Sequence, residues 1–358
     1  MKLGMVVNSP SPHQVALLDA ISELVDLKVV YAFDRNPART WGRPITKADS
    51  DVLPWNCWCS LWTTKSWLKA QGRDVWVLGS IYTSVRTQVV AHAVSELGLP
   101  LYYLGEPPRP RSGPRGWLRD KMLQGVLKHC RGVIGTGVES ARRYQKIIGE
   151  RPAVSVPYYV PLDDWLALPV PQKRAPDSPT RFVTLAQFIH RKGLDVLIEA
   201  CRGLPKEGWT LEVFGDGPER AKLQSRVDEL GIPVKLHHPI PFARRTEAFK
   251  DKHCFVFPTR WDGWGMVIPE ALAAGLPVIT TVQAMSAHDF VSDGEVGWIG
   301  PAEDPQFLLD SMLKVINSPE RSHAMSQAAR NAVADYRPEV GARRLAEFID
   351  RHTSELIR

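Results

Sequence analysis

The segment Asp262-Gly263-Trp264-Gly265-Met266-Val267-Ile268-Pro269-Glu270-Ala271 combines residue types and spacing that suit a polar, anionic ligand. Gly263 and Gly265 mark a loop that opens into a helix at Val267 or Ile268. Pro269 falls in the helix's first turn, where proline is tolerated. A glycine-containing loop that feeds a helix start presents unpaired N–H groups and the positive end of a dipole, which together favour an anion. Asp262 and Glu270 lie eight positions apart, one before the glycines and one in the first helical turn. They can face one ligand at different heights. An ionised carboxylate accepts two hydroxyl hydrogen bonds at once, so the pair suits sugar hydroxyls. Either acid alone is ordinary, since the dipole by itself favours a carboxylate in a first turn.

Two further candidates stand at strand ends. His13 follows Ser11 and Pro12, a cap residue and a helix-starting proline. Glu106 sits in Leu104-Gly105-Glu106-Pro107-Pro108. Each can face a ligand cleft, Glu106 as a general base or as a partner of an acceptor hydroxyl. Each can equally be a solvated loop residue.

The elements that must position these groups alternate along the whole chain. Strand-like runs occur at 3–7, 27–32, 75–78, 101–104, 132–134 and 153–156, and again at 181–185, 211–214, 234–237, 254–257, 278–281 and 297–299. Helical patterns separate them. Alternation of this kind predicts two Rossmann-like parallel-sheet α/β domains. Residues 161–180, with five prolines and a polar end, read as a linker. The expected layout is therefore an N-terminal domain over 1–160, a linker over 161–180, a C-terminal domain over 181–335 and a C-terminal helix over 336–358 that packs back on the first domain. Ligands in such sheets bind at the carboxyl ends of strands, so the cleft between two facing domains is the expected site.

Composition excludes several classes. The chain has 358 residues, with 44% hydrophobic and 23% charged, which is globular rather than disordered, collagenous or coiled-coil. Its apolar runs are far short of a membrane span, and the first apolar run reads as a strand rather than a secretory segment, so a cytoplasmic protein is expected. Five scattered cysteines form no zinc spacing, and no metal or cofactor is expected. Residues 1–160 carry a net charge of +9 and residues 161–358 a net of −3. No nucleic-acid motif accompanies the basic half. Arg111, Arg115 and Arg119 surround Trp117, and six of the twelve tryptophans fall within 41–76. Basic charge beside tryptophan suits an acceptor surface for an anionic headgroup or pyrophosphate, possible at the cytoplasmic face of a membrane.

Together, Asp262 to Ala271 and the following Gly275-Leu276-Pro277-Val278 resemble the donor-site motif of retaining glycosyltransferase family 4, which has the two-domain GT-B architecture. In place of the family's usual first Glu this chain has Asp262. The segment Ala186-Gln187-Phe188-Ile189-His190-Arg191-Lys192-Gly193-Leu194-Asp195 resembles the family's diphosphate-binding stretch, with Lys192 at the Lys position and Gln187 where an Arg is usual. Arg191 or His190 is the candidate for the missing charge. Ile240, in His238-Pro239-Ile240-Pro241-Phe242, falls where the family receives the nucleotide base. The resemblance covers residues 181–316 well and the first half only in layout.

The resemblance implies a nucleotide-diphosphate-sugar-dependent glycosyltransferase that retains anomeric configuration, takes a UDP or GDP donor and serves polysaccharide biosynthesis with a glycan or lipid-linked acceptor. It implies that Lys192 and the amides of Gly263, Trp264, Gly265, Met266 and Val267 meet the leaving diphosphate and sugar. Glu270 then binds ribose and Asp262 the donor sugar. Gln187 and Arg191 line the same site. A nucleotide-sugar 2-epimerase and a non-catalytic nucleotide-sugar-binding subunit are the alternatives with the same layout.

Overall fold

The computed structural model of the chain describes residues 1–34, 46–58, 60–109, 112–175 and 177–354. The chain divides into two compact units, one of Met1–Val160 with Tyr336–Arg358 and one of Pro161–Asp335. Each is a parallel sheet dressed with helices.

The first unit holds β1 (Lys2–Val7), β2 (Asp26–Tyr31), β3 (Asp49–Val52), β4 (Val75–Gly79), β5 (Leu101–Gly105), β6 (Gly132–Gly135) and β7 (Ala153–Ser155). They lie in the order β3-β2-β1-β4-β5-β6-β7, and every pairing is parallel. The strands are near-continuous apolar runs because both sheet faces are covered. In β1 only Lys2 is exposed. Leu78, Val90, Tyr103, Val126 and Val133 form part of one core between sheet and helices. The helix Pro338–Ser354 belongs to this unit and packs on Pro12–Ser22. Tyr336 stacks on Tyr159 at 4.9 Å, and Phe348 meets Tyr102 edge-on at 5.6 Å.

The second unit holds β8 (Thr180–Leu185), β9 (Trp209–Phe214), β10 (Val234–His237), β11 (Cys254–Phe257), β12 (Val278–Thr281) and β13 (Gly297–Gly300), in the order β10-β9-β8-β11-β12-β13 and again all parallel. In each sheet the chain winds outward from its first strand in one direction and then returns to that strand's other side. The switch points are therefore β1/β4 and β8/β11. Loops leaving the carboxyl ends of these pairs diverge and leave a crevice, which is where ligands bind in this architecture.

Three local findings refine the expected layout. Residues 161–180 do not run as a free linker. A short helix at Asp163–Leu166 seats Trp165, only 4% exposed, in the second unit. Burial of this large apolar side chain favours the fixed conformation over a free one. The hydrophobic alternation does not mark β3, an edge strand of sequence Asp-Ser-Asp-Val that is held by ion pairs. Lys28 Nζ of β2 lies 2.9 Å from Asp49 and 2.7 Å from Asp51. Nor does it mark the helix Leu61–Ala70, capped by the Ser60 side chain. Cys57, Cys130, Cys201 and Cys254 are buried and unbridged, and burial pushes the Cys130 thiol up to about 12. Among the described residues no helix is long and apolar enough to cross a membrane.

Candidate functional site

The second unit's switch point gathers most of the residues singled out in its sequence. Lys192 ends a short 3-10 turn, His190–Lys192, on the loop after β8. Asp262 lies on the loop after β11. Seventy positions apart in sequence, they meet as an ion pair between Lys192 Nζ and Asp262 Oδ2. Lys192 is 9% exposed, and its ammonium also stands 4.9 Å from the centroid of the Phe257 ring. Arg191 Nη1 approaches the same carboxylate oxygen at 3.6 Å and donates to Trp261 O at 2.6 Å. Of the two candidates for the missing charge, Arg191 therefore joins the cluster. His190 is exposed and contributes its carbonyl to Arg260 Nη1 at 2.6 Å. Gln187 is exposed on the same loop, with its carbonyl accepting from Ile189 N.

The two loops are fastened to each other. Gly193 has φ +67°, and a Cβ there would lie 2.0 Å from Pro258 O. Only glycine fits that approach. Arg260 N donates to Arg191 O at 2.9 Å, and Thr259 Oγ1 donates to the same carbonyl at 3.1 Å. The Arg260 guanidinium forks onto Asp195 at 2.7 and 2.8 Å and also reaches Glu303 at 3.0 Å. Partial burial works against ionised Asp195, but this fork outweighs it and holds the carboxyl below its usual range. Gly193→Ala is expected to destabilise the fold by about 1–3 kcal/mol, since a left-handed backbone and a backbone clash coincide. A thermal melt checks this directly.

The glycine loop is stitched to the segment after β12. Asp262 N donates to Gln283 O at 2.9 Å, Ser286 N to Trp264 O at 2.7 Å, and Ser286 Oγ to Gly265 O at 3.0 Å. Gly265, at φ +92°, makes the turn into the helix Val267–Ala273. Gly263, Trp264 and Gly265 are buried, and Met266 and Val267 are half-buried. The Trp264 amide donates to Asp262 Oδ1 at 3.3 Å, so it orients the acid rather than standing open.

Glu270, in the first turn of that helix, has no exposed surface. It does not join the Lys192–Asp262 cluster. Its carboxylate faces Arg245, with Nη1–Oε1 at 2.9 Å and Nη2–Oε2 at 2.8 Å. Burial pushes its carboxyl up to about 7, with Arg245 pulling the other way. Arg245 was not legible as a site residue, because one arginine in Phe242-Ala243-Arg244-Arg245 has no spacing signal to set it apart. Ile240 is half-buried on the loop that leads there from β10.

In the first unit, Asn8 after β1 accepts from Ile81 N at 3.0 Å through Oδ1, which ties the two loops of the β1/β4 switch point. His13 begins the helix after β1, but its side chain lies outside the described residues. Glu106 is exposed directly after β5, one strand further along the sheet, and its carbonyl accepts from Tyr144 OH at 2.9 Å. Arg111 lies outside the described residues. Arg115 and Trp117 are exposed on the helix Gly113–Leu127. Arg119 is turned inward to Tyr82 OH at 2.8 Å.

A recess of about 390 Å³ lies at the opposite, amino-terminal end of β8 and β11, lined in part by Arg181, Lys252 and His253. Some of its polar groups are paired. Arg181 N donates to His253 Nδ1 at 2.9 Å, Lys252 pairs with Glu212 at 3.0 Å, and burial and nearby cations hold the His253 ring neutral, down to about 4. Among the described residues no group of His, Cys, Asp and Glu is arranged to hold a metal ion.

The second unit is a doubly wound domain with cations and carboxylates on its switch-point loops, the place where such sheets bind ligands. Comparison with known proteins narrows this. Residues 170–332 match the family model "Glycosyl transferases group 1". The chain is 27% identical over 185 residues to the amylovoran biosynthesis glycosyltransferase AmsK of Erwinia amylovora, covering 49% of this chain and 45% of that protein. It is 31% identical over 175 residues to the lipopolysaccharide core biosynthesis glycosyltransferase LpsE of Rhizobium meliloti, covering 44% and 48%. The chain thus matches about half the length of these curated relatives. In fold it resembles the lipopolysaccharide outer core galactosyltransferase WaaB, with a TM-score of 0.79 at 13% identity over 98% of this chain and 99% of that one. It also resembles HepE of Anabaena in complex with UDP, with a TM-score of 0.77 at 16% identity over 98% and 100%. The two-domain α/β fold class expected from the sequence is the one observed, and these neighbours share it.

Proposed function

We propose that this chain is a glycosyltransferase that moves a sugar from a nucleoside diphosphate carrier to a glycan or lipid-linked acceptor, with retention of anomeric configuration. The observation that carries the reading is the pairing of Lys192 with Asp262 across the β8/β11 switch point. A buried ammonium beside the start of a helix is suited to negative charge developing on a departing diphosphate. On this reading Lys192, with Arg191 beside it, meets the diphosphate. The amides of Gly265, Met266 and Val267 face the same charge. Asp262 turns from Lys192 to a donor-sugar hydroxyl, and Glu270 takes the ribose hydroxyls. Relatives named for polysaccharide biosynthesis support the reaction class, and a structural neighbour in complex with UDP-glucose favours a uridine donor.

The test is incubation with a panel of nucleotide sugars in the presence of EDTA, scoring nucleotide release and acceptor modification. Release is expected with a uridine donor despite the chelator, since side chains and amides supply the positive charge. No release with any donor and a broad acceptor set overturns the reading. A changed donor sugar without an acceptor indicates an epimerase, and tight binding without turnover a binding subunit.

The acceptor is assigned to the basic first unit, at an anionic surface. Trp117 is 63% exposed with Lys121 Nζ 5.9 Å from its ring centroid, and Trp62 is 77% exposed on Leu61–Ala70. Helix Val85–Glu96 lies between the two helices that carry them. Each basic residue near an anionic bilayer contributes about 1 kcal/mol, screened by salt. Sedimentation with phosphatidylserine vesicles is expected to exceed that with neutral vesicles, to fall with added salt and to weaken in Arg115→Ala and Trp117→Ala. Equal sedimentation with both vesicle types removes the membrane assignment and leaves the donor site intact.

A further inference from the structure

Glu270 is the one charged side chain among the described residues with no exposed surface. A ligand hydroxyl cannot reach a carboxylate that has no accessible surface. One charged side chain lies against it. Arg245 spans both oxygens, at 2.9 and 2.8 Å, from the loop that follows β10. A carboxylate can accept about four hydrogen bonds. Only the contact from Nη1 to Oε1 is a hydrogen bond, so buried Oε2 keeps its accepting capacity unused.

Arg245 is built to move in a way that Glu270 is not. It stands between a 3-10 turn, Phe242–Arg244, and the four-residue helix Thr246–Phe249, and its side chain is 17% exposed. Its guanidinium carbon lies 5.6 Å from the centroid of the Phe242 ring, which is itself 52% exposed. Glu270 instead sits in a helix whose residues from Ile268 to Ala273 are all buried. If either partner withdraws, it is the arginine.

We propose that Arg245 is a displaceable cap on Glu270, which favours the charged form of the buried carboxylate and withdraws when the ribose of a nucleotide arrives. The proposal rests on the donor-site reading above and assigns a positioning residue to it.

No other charged group takes over this task. The elements packed most extensively against the helix Val267–Ala273 are Asp163–Leu166, β12 and Pro319–Ala332. Asp163 and Asp164 on the first are exposed. β12 carries no charge. On the third, Glu320 pairs with Lys173, while Arg321, His323 and Arg330 bond the carbonyls of Gly294, Pro171 and Leu168. Burial raises the Glu270 carboxyl to about 7, and Arg245 is the charge that restrains it. Removing that restraint moves the carboxyl further up.

The experiment has two arms on the full chain, with Arg245→Met, Arg245→Lys and Glu270→Gln. In the first, the Glu270 carboxyl is titrated by carbon NMR without nucleotide. Its midpoint is expected to rise by about one unit or more in Arg245→Met and by less in Arg245→Lys. An unchanged midpoint overturns the proposal. In the second, UDP and GDP affinities are measured from pH 6 to pH 9. Arg245→Met is expected to bind about tenfold more weakly than the wild type near pH 6.5, where its carboxyl is protonated. Near pH 9 it should bind as tightly or more tightly, because no cap has to be displaced. The curves therefore cross, and Glu270→Gln removes the pH-dependent difference. Parallel curves mean a merely structural arginine and overturn the cap. If the wild type binds neither nucleotide, the donor-site reading and the cap's displacement both fall, and the first arm alone still decides whether Arg245 holds the charge.

Discussion

Lys192→Ala is expected to lower turnover by about a hundredfold or more at subsaturating donor, the scale for losing a preorganised charged contact. Lys192 is 9% exposed and held in place by its loop, so little of its charge is screened by water before the donor binds. In the empty site it is paired with Asp262, which neutralises both groups without a ligand. The donor then exchanges partners, with phosphate to lysine and sugar hydroxyl to aspartate. Alanine deletes the phosphate's partner and leaves Asp262 with the Trp264 amide and, at 3.6 Å, Arg191 as its nearest remaining cation. Repulsion between the less neutralised carboxylate and an incoming diphosphate adds to the loss. Lys192→Arg is expected to rescue little, because a wide planar fork does not fit a site shaped for a compact ammonium against Phe257. Initial rates, with a thermal melt to confirm folding, check this. Near-normal rates in Lys192→Ala overturn the donor-site assignment.

The parts of this site that were legible in sequence share one property: they are local. The run from Asp262 to Glu270 declares a loop, two glycines and a helix start within ten residues, and the structure builds those elements there. Lys192 could be placed because its turn resembles a known one. What joined these pieces was not local. The Lys192–Asp262 pair depends on β8 and β11 lying side by side, a topological fact spread over seventy residues. The glycine at 193 shows this well. Nothing in its neighbourhood says that Pro258 O will lie 2.0 Å from where a Cβ would stand. Arg245 and Arg260 were missed because a surface arginine and a buried clamp look alike in a polar stretch. β3 was missed for the opposite reason, since Lys28 and its two aspartates replace the apolar alternation by which strands are recognised. In the first unit the strands were legible, yet the chemistry of His13 and Glu106 was not, because neither stands in a motif of several residues.

Replacing Glu270 should lower activity and remove a pH dependence from stability. Glu270→Ala is expected to cut turnover by about a hundredfold, since each hydrogen bond to a charged group contributes about 1.5–3 kcal/mol and two ribose hydroxyls are lost. Stability changes with pH. In the unfolded chain the carboxyl titrates near its usual 4.5, while in the folded protein burial, partly offset by Arg245, raises it to about 7. Between those values the folded protein holds a proton that the unfolded chain has released. Stability from this group is therefore present at low pH and is lost as pH rises towards 7. The difference amounts to about 3 kcal/mol. Glu270→Gln has nothing to titrate, so it escapes that loss. Whatever fixed offset the amide introduces against Arg245, the stability of Glu270→Gln relative to the wild type should rise by about 3 kcal/mol between pH 4.5 and pH 8. Urea melts at the two pH values measure this, and equal pH dependence in the two proteins overturns it. A buried carboxylate whose contribution to stability falls as pH rises towards neutrality, and whose loss lowers turnover, is retained for the ligand it meets rather than for the structure around it.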